Sequence, residues 1–148
     1  MLENHQKNIA TFIHLSTFSR FLIPFGNFIG PIVLWIANKE KSEFVDEHGK
    51  QAINFQISIL LYAIIIGTIS IPFFIFNIFS GFDFIDFNGF HNFHINIGKP
   101  SPLLYIGGAL GALAIVGFII ELILIVIASL KARDGVYYKY PFTINFLK

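Results

Sequence analysis

The chain has 148 residues, of which 55% are hydrophobic and only 13% are charged, and its mean hydropathy is +0.69. Soluble domains carry about 25% charged residues, so this composition argues against a soluble protein and favours a membrane protein. The net charge of +1 argues against nucleic acid as a partner, and the absence of cysteine excludes disulfides and thiolate chemistry.

The N-terminal apolar stretch is interrupted near its middle. The first ten residues, MLENHQKNIA, lack the charged, apolar and small-residue regions of a signal peptide, so we expect the stretch to remain in the protein. Residues 9–37 contain five turn-favouring residues, namely Pro24, Gly26, Asn27, Gly30 and Pro31. We interpret 9–37 as a broken helical hairpin with helices at roughly 8–22 and 28–38. One kinked helix is the alternative.

Residues 38–50 are predicted to form a cytoplasmic loop, because they carry Lys39, Lys41 and Lys50 and positively charged loops remain in the cytoplasm. Polar residues in and after this loop give a candidate interaction site, composed of Asp46, Glu47, His48, Lys50, Gln51 and Asn54. The competing interpretation is a solvated helix start, in which Lys50 pairs with the acids three and four positions before it.

Residues 51–79 form the first predicted transmembrane helix, since about 20 apolar residues suffice to cross the hydrocarbon core. Polar side chains recur on one side of this helix, at Gln51, Asn54, Ser58 and Tyr62. Such a stripe either forms hydrogen bonds to neighbouring helices or lines a polar path through the membrane.

Residues 80–101 are predicted to be an external loop rich in aromatic side chains, which anchor at a membrane surface. His91 and His94 are spaced so that they could ligate a metal ion together with Asp83 or Asp86. No second ligand pair fixes that geometry. We therefore predict no metal site and no cofactor.

The second predicted transmembrane helix covers residues 102–131, and its apolar run 103–130 contains one charge, Glu121. A carboxylate in apolar surroundings must be neutral or paired. Arg20 and His14 are the only other ionisable residues expected at this depth, so the three form a candidate intramembrane charge group with Arg20–Glu121 as the expected pair. Coupling to protons or ions is the functional alternative to a structural pair.

The same helix carries a face of small residues, at Gly107, Gly108, Gly111, Ala114 and Gly117. Small residues four apart allow helices to approach closely in a membrane. We expect this face to pack against another helix, within the chain or in a second copy.

Residues 132–148 are predicted to be an interfacial tail, because aromatic residues alternate with lysines there. Lysine and arginine concentrate in 38–50 and 131–148, whereas 80–101 contains only Lys99. Both basic segments, and hence the C-terminus, are therefore expected to face the cytoplasm. A hairpin at 9–37 returns the N-terminus to the same side.

Three stretches together resemble a known family: IPFGNFIGPIVLWIANK at 23–39, FVDEHGKQAINFQISILLY at 44–62, and IASLKARDGVYYKYPFTINFL at 127–147. They resemble bacterial membrane proteins of the family called domain of unknown function 4870, which is distantly similar to the twenty-kilodalton Tic component of chloroplast protein import. The resemblance implies a four-helix bundle with both ends in the cytoplasm and supplies no biochemical activity. Gln51 stands where that family more usually has glutamate, and the 80–101 loop is long.

The predicted fold is all-α, a polytopic integral membrane bundle of about four helices in one domain, located in the bacterial inner membrane. Zinc-binding helix motifs, nucleophile elbows and phosphate-binding loops are absent from the sequence, so we expect no enzymatic activity. The first functional hypothesis is a role in protein translocation, insertion or envelope assembly, with the lipid bilayer, other membrane proteins or a second copy as partners. The alternative is a small transporter or channel whose polar path uses Glu121 and the stripe Gln51, Asn54 and Ser58.

Overall fold

A computed structural model describes residues 3–80, 85–87, 93–95 and 102–148. The architecture of these ranges is helical, with four α-helices: α1 Asn4–Leu15, α2 Gly26–Ile36, α3 Glu43–Ser80 and α4 Pro102–Arg133. Short 3₁₀ segments at Ser16–Phe21 and Lys39–Lys41 precede α2 and α3. Two helical segments, Glu43–Pro72 and Tyr105–Arg133, are long and apolar enough to cross a membrane.

The predicted break within 9–37 begins with a change of helix type rather than at a proline. Three hydroxyl groups after α1 each donate to a carbonyl three residues earlier, Ser16 to Ile13, Thr17 to His14 and Ser19 to Ser16. Hydroxyl bonds of this kind compete with α-helical backbone bonds, and here they accompany the tighter 3₁₀ geometry. A turn at Pro24 and Phe25 then leads into α2.

Most of the predicted loop 38–50 is helical, because α3 already begins at Glu43. Of this predicted loop, only residues 38–42 lie between α2 and α3. The residues of the FVDEHGKQ stretch are therefore helical and continue without interruption into the apolar run. Trp35 near the end of α2 connects to this helix start, since its indole N–H donates a 2.8 Å hydrogen bond to Asp46.

The chain divides into two compact units, and the first comprises residues 1–61 and 118–148. Its core joins α1, the first half of α3, the second half of α4 and the residues after α4. Three buried clusters make up this core: Phe55 with Ile125, Ala128 and Tyr140; Ala10 with Phe44 and Ala132; and Ile13 with Val45 and Ala52.

The second unit comprises residues 62–117. Here Ile85–Phe87 (β1) and Phe93–Ile95 (β2) form a short antiparallel pair that was not predicted, with Asp86 opposite His94. Asp83 and His91, the other two candidate ligands, lie outside the described residues. In the predicted small-residue face, a methyl group added at Gly108, Gly111 or Gly117 would meet no atom of the described chain within 4 Å.

Candidate functional site

Two histidines and a tyrosine form a buried polar cluster in the first unit. His14 from α1 places its Nε2 atom 2.8 Å from Nδ1 of His48 on α3. The hydroxyl of Tyr140, which follows α4, lies 2.9 Å from Nδ1 of the same His14. All three side chains are buried, so these contacts connect α1, α3 and the C-terminal residues away from solvent.

The hydrogen bonds of this cluster determine which ring nitrogens carry protons for a given direction of the Tyr140 bond. A neutral imidazole has one donor and one acceptor nitrogen. When Tyr140 donates to Nδ1 of His14, the Nε2–H of His14 donates to Nδ1 of His48. The Nε2 atom of His48 is buried and has no hydrogen-bond partner within the described chain. The cluster is thus a chain of two hydrogen bonds that starts at a phenol.

Aromatic contacts hold Tyr140 in place. Its ring stacks on Phe55 with the centroids 4.0 Å apart and the planes 8° apart, and Tyr138 packs edge-on against it at 5.2 Å. Burial raises the pKa of the Tyr140 hydroxyl well above its usual value, and the charges of Tyr138 and Glu121 raise it further. Tyr140 therefore stays neutral and keeps its hydroxyl proton.

A second buried cluster surrounds Glu121 of α4. The guanidinium of Arg20 contacts both carboxylate oxygens of Glu121 and also donates to Oε1 of Gln56 at 2.7 Å. The amide of Asn27 donates to the same oxygen at 2.8 Å, and Gln56 donates to Glu121 at 3.4 Å. A buried charge pair is stable only when its remaining hydrogen-bonding positions are used. Gln56 bonds to both members of the pair, and Asn27 in turn bonds to Gln56.

His14 does not contact Glu121. It belongs to the histidine–tyrosine cluster instead, so the candidate charge group His14, Arg20 and Glu121 divides between two clusters. The reason is geometric, because residues six apart on a helical segment point to different sides.

The polar stripe on α3 binds the C-terminal tail, residues 134–148. Asn54 donates to the carbonyl of Leu147 at 2.9 Å and accepts from the N–H groups of Phe146 and Leu147 at 3.2 and 2.8 Å. Ser58 accepts from the N–H of Ile144 at 2.9 Å. Both side chains are buried under the tail. Asn54 and Ser58 thus satisfy backbone groups of the tail, which is neither helical nor part of a sheet.

The tail leaves α4 through a glycine turn. Gly135 has φ 78°, and the N–H groups of Gly135 and Val136 donate to the carbonyls of Ala132 and Lys131. This pattern is the Schellman motif that ends helices. It reverses the chain so that the tail can return along α3.

The candidate site at 46–54 is not one cluster. Lys50 pairs with Asp46 at 2.7 Å and with Glu47 at 3.4 Å, in part-exposed positions, whereas His48 and Asn54 are buried and have the partners given above. Gln51 is half-buried. The stretch therefore combines an exposed charged side with two buried polar contacts.

Four residues with polar contacts to these clusters or to Asp46 were not among the candidates: Gln56, Asn27, Tyr140 and Trp35. Gln56 had a detectable signal, because it is a fourth uncharged polar residue in the apolar run beside Gln51, Asn54 and Ser58. Asn27 looked like an ordinary turn residue, and Tyr140 was one aromatic residue among several. Nothing local distinguishes them, since their partners are distant in sequence.

Comparison with known proteins decides the family. The model of the magnetosome magnetite crystal formation protein family matches residues 5–147. No curated protein and no solved structure matches the chain. The resemblance to the family called domain of unknown function 4870 and to the chloroplast Tic component is therefore wrong. The stretches that suggested it contain the turn at Phe25, the close Gly49–Trp35 contact and the Schellman turn, which serve the fold and do not identify a family. With nearly its whole length matched, the chain belongs to the magnetosome magnetite crystal formation protein family.

Proposed function

We propose that this protein is a non-enzymatic, multi-pass protein of the magnetosome membrane that takes part in magnetite crystal formation. The observation that carries the proposal is the family match over residues 5–147. The two helical segments that are long and apolar enough to cross a membrane support the membrane location. They account for the low content of charged residues.

The distribution of basic residues supports one orientation. Segments 38–50 and 131–148 hold most of the lysine and arginine between them, and 80–101 holds only Lys99. Under the positive-inside rule, the two basic segments face the cytoplasm and 80–101 faces the other side. In a vesicle formed from the inner membrane, that other side is the interior, where a crystal would grow.

Segment 80–101 carries groups that can contact iron, the substrate of crystal growth. In the β1–β2 pair, Asp86 is the register partner of His94. Carboxylate oxygen and imidazole nitrogen are both metal ligands. We infer that Asp86 and His94 contact iron or the crystal surface, while the two apolar helical segments hold the protein in the membrane.

A transport path has less support than this role. Glu121 is paired with Arg20, and Gln56 uses the remaining positions of the pair. Asn54 and Ser58 are occupied by the tail. These polar groups stabilise the bundle, and a path along them would require the tail and the charge pair to separate. The translocation role depended on the resemblance that the family match overturns, so we do not propose it.

The test is complementation in a magnetite-forming bacterium from which its own family members have been deleted. Expression of this chain is expected to localise it to the magnetosome membrane and to restore crystal size, measured by electron microscopy. The double variant Asp86→Asn, His94→Gln should localise equally but leave crystals small. Asp134→Asn, which removes an exposed carboxylate from the tail, is the matched control and should restore crystal size.

Each outcome has a defined meaning. Correct localisation without any effect of the wild-type chain on crystals would overturn the proposed role. Full restoration by the double variant would remove the β1–β2 pair from the mechanism and leave the role in crystal formation in place.

A further inference from the structure

The turn between the first 3₁₀ segment and α2 exposes a run of apolar side chains. In FLIPF, residues 21–25, the relative exposure is 62% for Phe21, 85% for Leu22, 47% for Ile23 and 72% for Phe25. Contact of such side chains with water is unfavourable, and a contiguous exposed apolar patch marks contact with a partner or a membrane. We call residues 21–25 the tip of the hairpin that α1 and α2 form.

The first leg of this hairpin, α1 with the 3₁₀ segment, runs along the C-terminal half of α4. Ala10 belongs to one buried cluster with Phe44 and Ala132, so the leg starts where α3 begins and α4 ends. Arg20, just before the tip, bonds to Glu121. At 1.5 Å per residue, about 16 Å separate Ala132 and Glu121 along α4. The first leg covers that distance.

The second leg, α2, returns along α3 over the same distance. Near the start of α2, Asn27 donates to Gln56 at 2.8 Å, and near its end Trp35 donates to Asp46 at 2.8 Å. Gln56 and Asp46 lie about 15 Å apart along α3. The chain therefore enters and leaves the hairpin at the same end of the first unit, where α3 begins.

The tip lies part-way along a segment that can cross a membrane. Phe21 packs edge-on against Phe118 of α4, with the ring centroids 6.5 Å apart. Phe118 is about 20 Å along α4 from Lys131, and the hydrocarbon core of a bilayer is about 30 Å thick. The segment Tyr105–Arg133 is long enough to cross this core. A tip beside Phe118 then lies inside the core and short of its far surface.

The backbone of the tip is bonded within the chain, as hydrocarbon surroundings require. The N–H groups of Leu22 and Ile23 both donate to the Ser19 carbonyl at 3.0 Å, and the N–H of Gly26 donates to the Ile23 carbonyl at 3.1 Å. Pro24 has no N–H to satisfy. The Ser19 hydroxyl donates to the Gly26 carbonyl at 2.6 Å. This turn needs little water to satisfy its polar groups.

Charges are concentrated at the opposite end of the hairpin. Lys7 lies in the first half of α1, and Lys39 and Lys41 follow α2, whereas the tip contains no charge. The charge next to the tip, Arg20, is paired with Glu121. Lysine side chains at the ends of membrane segments extend to the interface. The distribution favours an open end at the membrane surface and a tip in lipid.

We propose that residues 4–36 form a re-entrant hairpin whose tip contacts phospholipid acyl chains in the interior of the bilayer. The hairpin enters and leaves at one surface and does not reach the other, so the chain crosses the membrane only with the apolar segments of α3 and α4. The proposal rests on the membrane location proposed above. Leu22, the most exposed side chain of the tip, lies among the acyl chains.

The absence of cysteine allows single labels at chosen depths. The variants are Leu22→Cys and Phe25→Cys at the tip, Glu40→Cys at the exposed open end, and Ile64→Cys as a lipid-facing reference on α3. Each carries an environment-sensitive fluorophore in phosphatidylcholine liposomes. A lipid with a doxyl group deep in its acyl chain should quench the labels at 22, 25 and 64 about twofold or more above the label at 40. Aqueous iodide should give the reverse order.

A second measurement separates a re-entrant hairpin from a crossing one. In oriented membrane vesicles, a membrane-impermeant maleimide should react with unlabelled Glu40→Cys from one side and with Leu22→Cys from neither side. Reaction of Leu22→Cys from the side opposite to Glu40→Cys would mean that the hairpin crosses, and it would overturn the proposal. The unmodified protein provides a check that needs no substitution, because a photoactivated diazirine reagent dissolved in the bilayer should label the peptide that contains residues 21–25. An unlabelled peptide would contradict the lipid contact.

The reference label at 64 distinguishes failure of this proposal from failure of the membrane location. If lipid quenches the label at 64 while iodide quenches those at 22 and 25 as strongly as that at 40, the tip is in water and the proposal is wrong. Protection of 22 and 25 from both quenchers would mean that protein, such as a second copy, covers the tip, which also overturns it. Iodide quenching at 64 would contradict the membrane location itself.

Discussion

Gly49 of α3 lies directly against the indole ring of Trp35, and a methyl group at Gly49 would overlap Cδ1 of that ring. Trp35 cannot move away without loss of its hydrogen bond to Asp46. Gly49→Ala is therefore expected to lower the free energy of unfolding by about 1–3 kcal/mol, as overpacked substitutions do. Thermal unfolding in detergent, followed by circular dichroism, measures the change.

Gly67→Ala is the matched control, because a methyl group there meets nothing within 4 Å in the described chain. Alanine has a higher helix propensity than glycine, so this variant should be unchanged or more stable by up to about 1 kcal/mol. Equal loss of stability in both variants would mean that the contact with Trp35 is not the cause.

The Arg20–Glu121 pair should show strong coupling. Removal of one partner from a buried charge pair costs about 3–5 kcal/mol, whereas replacement of both by apolar residues is often close to neutral. Arg20→Met and Glu121→Leu are expected to destabilise the protein separately and much less when combined. Chemical unfolding of the two single variants and the double variant gives the coupling energy. Additive losses would show that the two side chains do not act together.

Tyr140→Phe tests the histidine–tyrosine cluster. The change keeps the stacking on Phe55 but removes the hydroxyl that is hydrogen-bonded to Nδ1 of His14, which leaves a buried nitrogen without its partner. We expect a loss of about 1–3 kcal/mol in the free energy of unfolding. Tyr137→Phe is the control, since Tyr137 is exposed and should tolerate the change. A Tyr140→Phe variant as stable as the wild type would contradict the assigned hydrogen bond.

Alkaline pH should unfold the protein partly through Tyr140. The folded-state pKa of its hydroxyl is raised by burial, so the neutral form is favoured in the folded state. The stabilisation is fully present below the unfolded pKa of about 10 and is lost as the pH rises above that value. Tyr140→Phe should therefore lose less stability than the wild type between about pH 9 and 11. Tyr138, whose pKa burial also raises, accounts for a residual decline. Parallel pH curves for the two proteins would refute this assignment.

Asn54→Ala should detach the tail. The substitution removes three hydrogen bonds to Phe146 and Leu147, and each net bond contributes about 1 kcal/mol. Cleavage by trypsin after Lys139 is expected to accelerate by about tenfold or more, because the protease acts on the locally opened tail. Asn145→Ala, at an exposed position of the tail, is the control. If both variants are cleaved at the wild-type rate, Asn54 does not hold the tail.

The long apolar helices could be predicted from the sequence because hydropathy is a property of a continuous segment. Glu43–Pro72 and Tyr105–Arg133 lie largely where the two predicted spans were placed. Arg20 was expected beside Glu121 because few ionisable residues share that depth, and the structure has this contact. Local chemistry was sufficient for both.

The remaining contacts depend on partners distant in sequence. The polar stripe on α3 could be predicted from the spacing of Asn54 and Ser58. Their partner could not, because it is a non-helical backbone 86 to 93 residues further along the chain. His14 was grouped with Glu121 by depth, whereas the side of the helix it occupies directs it to His48. Periodicity indicates which residues share a face, and only the packed structure shows what that face meets.

The hydrogen bonds of Asn54 and Ser58 to the tail go to main-chain atoms, which limits what mutations in the tail can do to these bonds. The side chains of Ile144, Phe146 and Leu147 take no part in these bonds, so nearly any residue at those positions can remain attached. Proline is the exception, since it lacks the N–H group that each position donates. The end of the chain is therefore open to wide sequence variation, provided that proline does not occur at these three positions.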